Sequence, residues 1–239
     1  MSRVATAMVL AAGLGTRMRP LTDRVPKPLV PLAGKPLLDH VLDRLAASGV
    51  EKAIVNVHFM ADQIEVHLVD RTAPHIVISD ERDMLLDTGG GVARALPMLG
   101  EGPFFIHNSD SVWVEREGPC LEQMADAWNP DIMDTLLLLA PVSATLGYQG
   151  RGDFDMDASG IIRRPDEGEK ASYVFAGVSI ADVRLFESCP EGKFSLNEVW
   201  DKAIASGRAR ALLLEGTWMH VGTPEAVREA EGCMAREGA

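Results

Sequence analysis

The 239-residue sequence contains few cysteines, few aromatic residues and an excess of acidic over basic residues. Cys120, Cys189 and Cys233 are odd in number and form no C-x-x-C pair, so we expect neither a disulfide framework nor a zinc site. With 23 Lys and Arg against 35 Asp and Glu, the formal charge of −12 argues against a nucleic-acid partner. The cysteine usage predicts a reducing, cytoplasmic location.

Long hydrophobic runs are also lacking. Residues 4–12 and 135–142 form the most prominent apolar stretches, and both are well below the roughly 20 apolar residues that a membrane-spanning helix needs. The first run is followed by Gly13 and Arg17 rather than by a cleavage-type segment. We therefore predict no membrane partner and interpret both runs as strands.

Strand-like and helix-like segments alternate along the first part of the chain. Strands are predicted over residues 4–12, 53–57, 76–79, 104–107 and 133–141, and helices over 37–47, 61–69, 91–99 and 121–128. This βαβα order is typical of an α/β fold with a Rossmann-like, mixed but mostly parallel sheet flanked by helices.

The pattern changes after about residue 143. Short segments separated by turn residues predict a small antiparallel lobe there. A strand over 173–180, a helix over 196–205, a strand over 210–214 and a helix over 224–236 complete the chain. Because no linker and no repeat interrupts the sequence, we expect a single domain over residues 1–239.

The segment after the first strand holds glycines and half of the eight Lys and Arg of residues 1–52. Gly13 and Gly15 let the backbone approach a ligand and point N–H groups at phosphate oxygens. Met18 stands where a dinucleotide fingerprint needs its third glycine, and no G-K-[ST] of a P-loop follows. The cations that remain are Arg17, Arg19, Arg24 and Lys27, and Pro26 and Pro28 restrict the backbone around the last of these.

These residues resemble a known family. The run LAAGLGTR at 10–17 with PKP at 26–28 and GKPL at 34–37 is similar to the signature of the sugar-1-phosphate nucleotidyltransferases. The resemblance continues at 88–91 (TGGG), 108–110 (NSD) and 221–224 (VGTP) and covers nearly the whole chain. It implies a GT-A-like fold in which residues 1–142 mainly bind nucleotide and 143–239 mainly form the sugar-binding lobe and the C-terminal helix.

The same resemblance implies an enzyme that transfers a nucleotidyl group from an NTP to a sugar 1-phosphate and releases pyrophosphate. Arg17 and Lys27 would be catalytic, because such transfers depend on positioning the reactants and neutralising their charge. UTP is the favoured nucleotide. The residues expected to bind it are Leu10, Ala11, Ala12, Gly13, Gly15, Thr16, Glu81 and Gly90.

The resemblance also implies a divalent metal, Mg²⁺, at Asp110, whose carboxylate suits this hard cation. His220 stands in the segment 218–223 where the family has a second acidic ligand, and imidazole suits Mn²⁺ or another transition metal better. Several interpretations stay open. In the first, His220 ligates a softer metal; in the second, it contacts metal or phosphate through water. In the third, another residue provides the second metal ligand; in the fourth, His220 is only hydrogen-bonded near the end of the sheet.

The sugar side departs from the family's E-K-P segment, because Arg163, Arg164 and Pro165 stand there. These two arginines either face a sugar carboxylate or are exposed strand residues. Segments 152–154 and 173–177 resemble those of N-acetylmuramate-1-phosphate uridylyltransferases within the family, which favours that sugar phosphate. The residues expected to bind it are Asn108, Gly152, Asp153 and Gly177.

Other functions remain open from the sequence. Within the family they are a mannose- or heptose-1-phosphate guanylyltransferase and a glucose-1-phosphate uridylyl- or thymidylyltransferase. Outside catalysis, the chain would be a nucleotide-sugar-binding regulatory protein that has lost the chemistry. We expect a monomer or a small homo-oligomer.

Overall fold

A computed structural model describes residues 4–237, and its main feature is a seven-stranded sheet. The strands are β1 (Thr6–Leu10), β2 (Pro31–Leu32), β3 (Lys35–Pro36), β4 (Lys52–Val57), β5 (His75–Asp80), β6 (Phe104–Asn108), β7 (Ser111–Glu115), β8 (Thr135–Pro141), β9 (Thr145–Leu146), β10 (Asp155–Met156), β11 (Ile162–Arg163), β12 (Tyr173–Ala181), β13 (Ala209–Leu213) and β14 (Gly216–His220). The large sheet has the order β13-β8-β12-β6-β1-β4-β5.

The directions of these strands confirm the predicted mixed, mostly parallel sheet. β1 pairs in parallel with β4 and β6, β4 with β5, and β13 with β8. β12 is the strand that breaks the pattern, since it runs antiparallel to both β6 and β8. The carboxyl ends of β1, β4 and β6 therefore meet at one edge, where open α/β sheets bind ligands.

Helices cover both faces of this sheet. They are α1 (Leu37–Ala47), α2 (Ala61–Leu68), α3 (Asp87–Leu99), α4 (Cys120–Ala127), α5 (Leu196–Ala205) and α6 (Pro224–Glu237). The apolar face of α1, with Leu38, Val41, Leu42 and Leu45 at helical spacing, packs in one core cluster with α2 and α4. α3 and α5 pack in the cluster on the other side. Within residues 4–237, no helix has the length and apolar character that crossing a bilayer requires.

A second, three-stranded sheet lies beside the large one. Its order is β7-β14-β9, with β14 antiparallel to β7 and parallel to β9. α6 packs against it together with Met18 and Leu32 from the basic N-terminal segment. The antiparallel structure predicted after residue 143 includes the hairpin of β10 and β11. We did not predict β7 or β14, because their pairing joins residues that lie far apart in the sequence.

One boundary was wrong in an informative way. We expected a helix over residues 91–99, whereas α3 already begins at Asp87 and contains the three glycines of the 88–91 segment. The carbonyl of Phe194 accepts hydrogen bonds from the N–H groups of Gly89 (2.9 Å) and Gly90 (3.1 Å). A Cβ on Gly89 would lie 2.4 Å from the Phe194 ring, so these glycines admit a neighbouring segment.

Candidate active site

A cavity of about 430 Å³ opens at the carboxyl ends of β1, β4 and β6. Residues predicted to act there line it, namely Leu10, Ala11, Ala12, Gly13, Lys27, Asn108 and Asp110. A second cavity of about 240 Å³ adjoins it and shares Asn108 and Asp110. The structure therefore brings the first-strand loop, the basic segment and the end of β6 together in one groove.

The loop after β1 folds back onto the segment that carries Lys27. Gly15 adopts a left-handed conformation with φ of 63°, and a Cβ there would lie 2.9 Å from the Cβ of Lys27. Thr22 Oγ1 donates a hydrogen bond to the Gly15 carbonyl at 2.8 Å, and the Met18 side chain is fully buried beneath the loop. Gly15 is thus required by both its backbone angle and this close approach.

Lys27 and Asp110 form an ion pair between the two cavities. Lys27 Nζ donates to Asp110 Oδ2, and the Lys27 side chain is only 13% exposed. Burial raises the pKa of Asp110, but the adjacent Lys27 ammonium outweighs it and holds that pKa below its ordinary value. Asp110 is therefore ionised at neutral pH, and Lys27 is held where phosphates would enter.

Three aromatic or imidazole rings form one side of the second cavity. The ring of His220 lies 6.2 Å from that of Tyr148 and 5.6 Å from that of Trp218. Arg17 lines the same cavity. Burial lowers the pKa of His220, Lys27 and Arg17 lower it further, and Asp110 opposes them. The imidazole is therefore largely neutral at pH 7 and keeps a nitrogen lone pair.

The groups in this groove fit a metal held partly by substrate. Among residues 4–237, no cluster of three or more His, Cys, Asp or Glu is placed to hold an ion without other ligands. Mg²⁺ needs only one or two carboxylates when phosphate oxygens and water complete its six ligands. Asp110 can supply that carboxylate, and His220 lines the same cavity.

Of the residues predicted to bind the sugar, Asn108 and Asp153 line the second cavity. Asp153 Oδ2 accepts a hydrogen bond from the Phe175 N–H at 2.9 Å, which holds its carboxylate against β12. Gly177 on β12 has φ of +88°, and a Cβ there would lie 1.6 Å from Ser111 Oγ. Gly152, with φ of +77°, packs against the Ala171 carbonyl and supports the segment before Asp153.

Other predicted residues lie elsewhere. Gly90 lines a separate cavity of about 380 Å³ together with Gly192. Glu81 is fully buried behind Asn56, and burial raises the pKa of its carboxyl, which the hydrogen bonds from Asn56 and Leu86 oppose. Thr16 begins a short 3₁₀ turn, Thr16–Met18, in the folded-back loop. Direct nucleotide contact by these residues stays a prediction.

The two arginines at the E-K-P position are engaged on the surface of the antiparallel hairpin. Arg164 Nε donates to Asp201 at 2.8 Å, and its guanidinium lies 4.3 Å from the centre of the Phe154 ring. Arg163 pairs with Asp155 at 2.9 Å and is 62% exposed. This geometry favours the interpretation of both as surface residues, with Arg163 at the end of β11 and Arg164 directly after it.

Sequence reasoning missed several residues that line the larger cavity. They are Asn56, Leu85, Asp87 and Lys193, whereas Thr88, which also lines it, belongs to the 88–91 segment of the resemblance. Asn56 had a usable signal, because it is a polar residue that follows three apolar residues near the carboxyl end of β4. Lys193 had none, since only the contact of its loop with α3 brings it to the cavity.

Comparison with known proteins agrees with this geometry. The family model described as nucleotidyl transferase matches residues 6–237, and the chain belongs to that family. Enzymes of this family bind an NTP and a sugar 1-phosphate and generally use a divalent metal.

Among its relatives, the N-acetylmuramate alpha-1-phosphate uridylyltransferase of Caulobacter vibrioides is 50% identical over 233 residues, or 96% of each chain. The protein of the same name from Neisseria meningitidis is 34% identical over 94% of this chain and 96% of its own.

Solved structures show the fold alone, because their sequences are distant. The inositol-1-phosphate CTP transferase from T. maritima superposes with a TM-score of 0.81 at 18% identity, covering 99% of this chain and 97% of the other. A UDP-glucose pyrophosphorylase complexed with UDP-glucose gives 0.78 at 16% identity, covering 98% and 99%. The predicted GT-A-like nucleotidyltransferase fold is confirmed.

Proposed function

We propose that this enzyme transfers the uridylyl group of UTP to N-acetylmuramate α-1-phosphate, forming the UDP-sugar and pyrophosphate. The observation that carries the choice of substrates is the 50% identity, over 96% of both chains, to a uridylyltransferase for that sugar phosphate. The groove supports the reaction class independently, because it joins a glycine loop, two cations and a carboxylate at one sheet edge. The cysteine usage supports a cytoplasmic site of action.

Each half of the chain takes one substrate in this proposal. Residues 1–142 hold the nucleotide through Leu10, Ala11, Ala12 and Gly13, which line the larger cavity, with Gly15 and Thr16 shaping the loop. Residues 143–239 supply the sugar side, where Asp153 faces the second cavity together with Asn108 from β6. Glu81, Gly152 and Gly177 support the walls of the two cavities, and Gly90 supports the packing of α3 against the loop that carries Lys193.

The transfer needs two anions to meet, since the sugar phosphate oxygen attacks the α-phosphorus as pyrophosphate leaves. Lys27 lies where the two cavities join and would neutralise charge on both phosphates. Arg17 faces the second cavity and would stabilise charge developing on the triphosphate. A divalent metal at Asp110, with His220 beside it, would supply further neutralisation when bound. We favour Mg²⁺ on the carboxylate and Mn²⁺ on the imidazole as the metals to test.

Pyrophosphate release, measured for each NTP with several sugar 1-phosphates, tests this function. N-acetylmuramate and N-acetylglucosamine 1-phosphates form a matched pair that differs in the lactyl group. We expect the highest kcat/KM with UTP and the muramate substrate. Turnover only with GTP and mannose or heptose 1-phosphate would overturn the assignment. UTP binding with no pyrophosphate release under any divalent metal would identify a regulatory protein instead.

A further inference from the structure

A buried polar pair lies behind the nucleotide cavity and contributes one of its wall residues. Asn56, near the carboxyl end of β4, lines the cavity and is 2% exposed. Behind it, Glu81 is fully buried at the end of β5. Burying a carboxyl group and an amide costs free energy, because both side chains lose their hydration on folding. Hydrogen bonds within the protein must offset that cost.

The hydrogen bonds allow only one orientation of the Asn56 amide. Its Oδ1 accepts from the backbone N–H of Ala11 at 2.7 Å, and its Nδ2 donates to Glu81 Oε1 at 2.7 Å. Glu81 Oε2 in turn accepts from the N–H of Leu86 at 3.3 Å. A backbone N–H can only donate, so rotating the amide by 180° would place its NH₂ against Ala11 and lose both bonds.

α3 is shaped to admit this pair. A Cβ on Gly91 would lie 2.8 Å from both Asn56 Nδ2 and Glu81 Oε1. Such a distance is closer than van der Waals contact, so any side chain at this position would displace the amide or the carboxylate. Gly91, the third glycine of the 88–91 segment, therefore leaves room for the Asn56 amide and the Glu81 carboxylate.

The Asn56 amide keeps one N–H that Glu81 does not take, since an NH₂ group has two donors. We propose that Asn56 recognises the base by donating this N–H to a carbonyl oxygen of uracil, and that Glu81 is a positioning residue that holds the amide for it. The inference rests on the proposed function, because it requires a uridine nucleotide in this cavity. A fixed N–H donor at Asn56 favours uracil, whose 4-carbonyl oxygen can accept a hydrogen bond. It disfavours cytosine, because the 4-amino group of that base is itself a donor and would face the Asn56 N–H without forming a bond.

Binding of UTP and of CTP, measured by calorimetry without sugar phosphate, tests the assignment. We expect Asn56→Ala to raise the Kd for UTP about tenfold or more and to change that for CTP less than about threefold. Glu81→Gln should lower the UTP-over-CTP preference in the same direction. In the Asn56→Ala background, Glu81→Gln should have no further effect on that preference, because Glu81 acts through Asn56. Asn129→Ala, in an exposed turn far along the chain, is the control.

A second variant keeps the buried hydrogen bonds but replaces the donor that faces the base with an acceptor. When Asn56→Asp is combined with Glu81→Gln, the carboxylate introduced on β4 would accept from the Ala11 N–H and from the amide introduced at the end of β5. The oxygen of that new amide would still accept from the Leu86 N–H. Thermal unfolding should stay close to wild type, while the preference shifts toward CTP.

The outcomes separate this inference from the function on which it rests. An unchanged UTP-over-CTP ratio in both Asn56 variants would overturn the inference. Failure of the wild-type protein to bind any uridine nucleotide would instead overturn the proposed function.

Discussion

The two adjoining cavities of the groove have walls that are built in different ways. The β4 wall consists of residues 10–13, Asn56 and the start of α3, and hydrogen bonds and glycine contacts hold it. The β14 wall consists of Tyr148, Trp218 and His220, and ring contacts hold it. In the β4 wall, glycines let neighbouring segments pack closely behind the cavity surface. In the β14 wall, three ring side chains form the cavity surface.

The two walls suit different parts of the substrates. One suits the groups that all nucleotides share, and the other suits groups that differ between substrates. The β4 wall offers backbone groups and one fixed amide, which suit the constant parts of a nucleotide. The β14 wall carries His220 where the family resemblance predicts an acidic residue, and it lines the cavity that we propose for the sugar phosphate. Lys27 and Asp110 lie where the walls meet, so their ion pair serves both.

Removing the charge that joins the two walls should have the largest effect. Lys27→Met keeps the length of the side chain but leaves Asp110 without its partner and the phosphates without a cation. We expect kcat for pyrophosphate release to fall about 100-fold to 1,000-fold. Lys35→Met is the matched control, because Lys35 pairs with Asp43 on α1 outside the groove. A loss below about tenfold would contradict a catalytic role for Lys27.

Adding one methyl group where β12 contacts the β7 segment should have the next largest effect. Gly177→Ala combines a φ of +88° with a Cβ placed 1.6 Å from Ser111 Oγ. We expect a loss of about 2 to 4 kcal/mol in the free energy of unfolding, measured by denaturant titration.

Gly102→Ala is the control for Gly177, since Gly102 has φ of +95° but nothing within 4 Å of its Cβ position. It should cost only about 1 kcal/mol, which is the backbone strain alone. Equal losses in the two variants would show that the contact with Ser111 is unimportant.

Changing the ligand chemistry of the β14 wall should have the smallest effect. His220→Asp replaces a nitrogen donor with an oxygen donor, so the ratio of activity with Mg²⁺ to activity with Mn²⁺ should rise about threefold or more. The Kd of the protein for Mn²⁺, measured by paramagnetic resonance, gives a second readout. His75→Asp, on the exposed edge strand β5, is the control. If neither the activity ratio nor the Kd for Mn²⁺ changed, His220 would not be a metal ligand.

Local patterns predicted much of the fold. α1 and α5 have the predicted bounds, because each carries an apolar face at helical spacing and α5 begins with a capping box of Ser195 and Glu198. The loop at residues 10–17 was found through its glycines and cations. Pairing between β7 and β14 was not predicted, since the register that places His220 opposite Ser111 depends on chain segments far apart.

The order of residues was enough to specify the α/β class, the glycine and basic loop at a strand end, and the family to which the chain belongs. These depend on spacing within short segments, which can be followed along the chain directly. The position of Glu81 behind Asn56, the fit of the α3 glycines to their neighbours and the approach of Lys193 to the cavity emerged only from the folded chain. Those features arise from close packing between distant segments, where small displacements change which atoms touch.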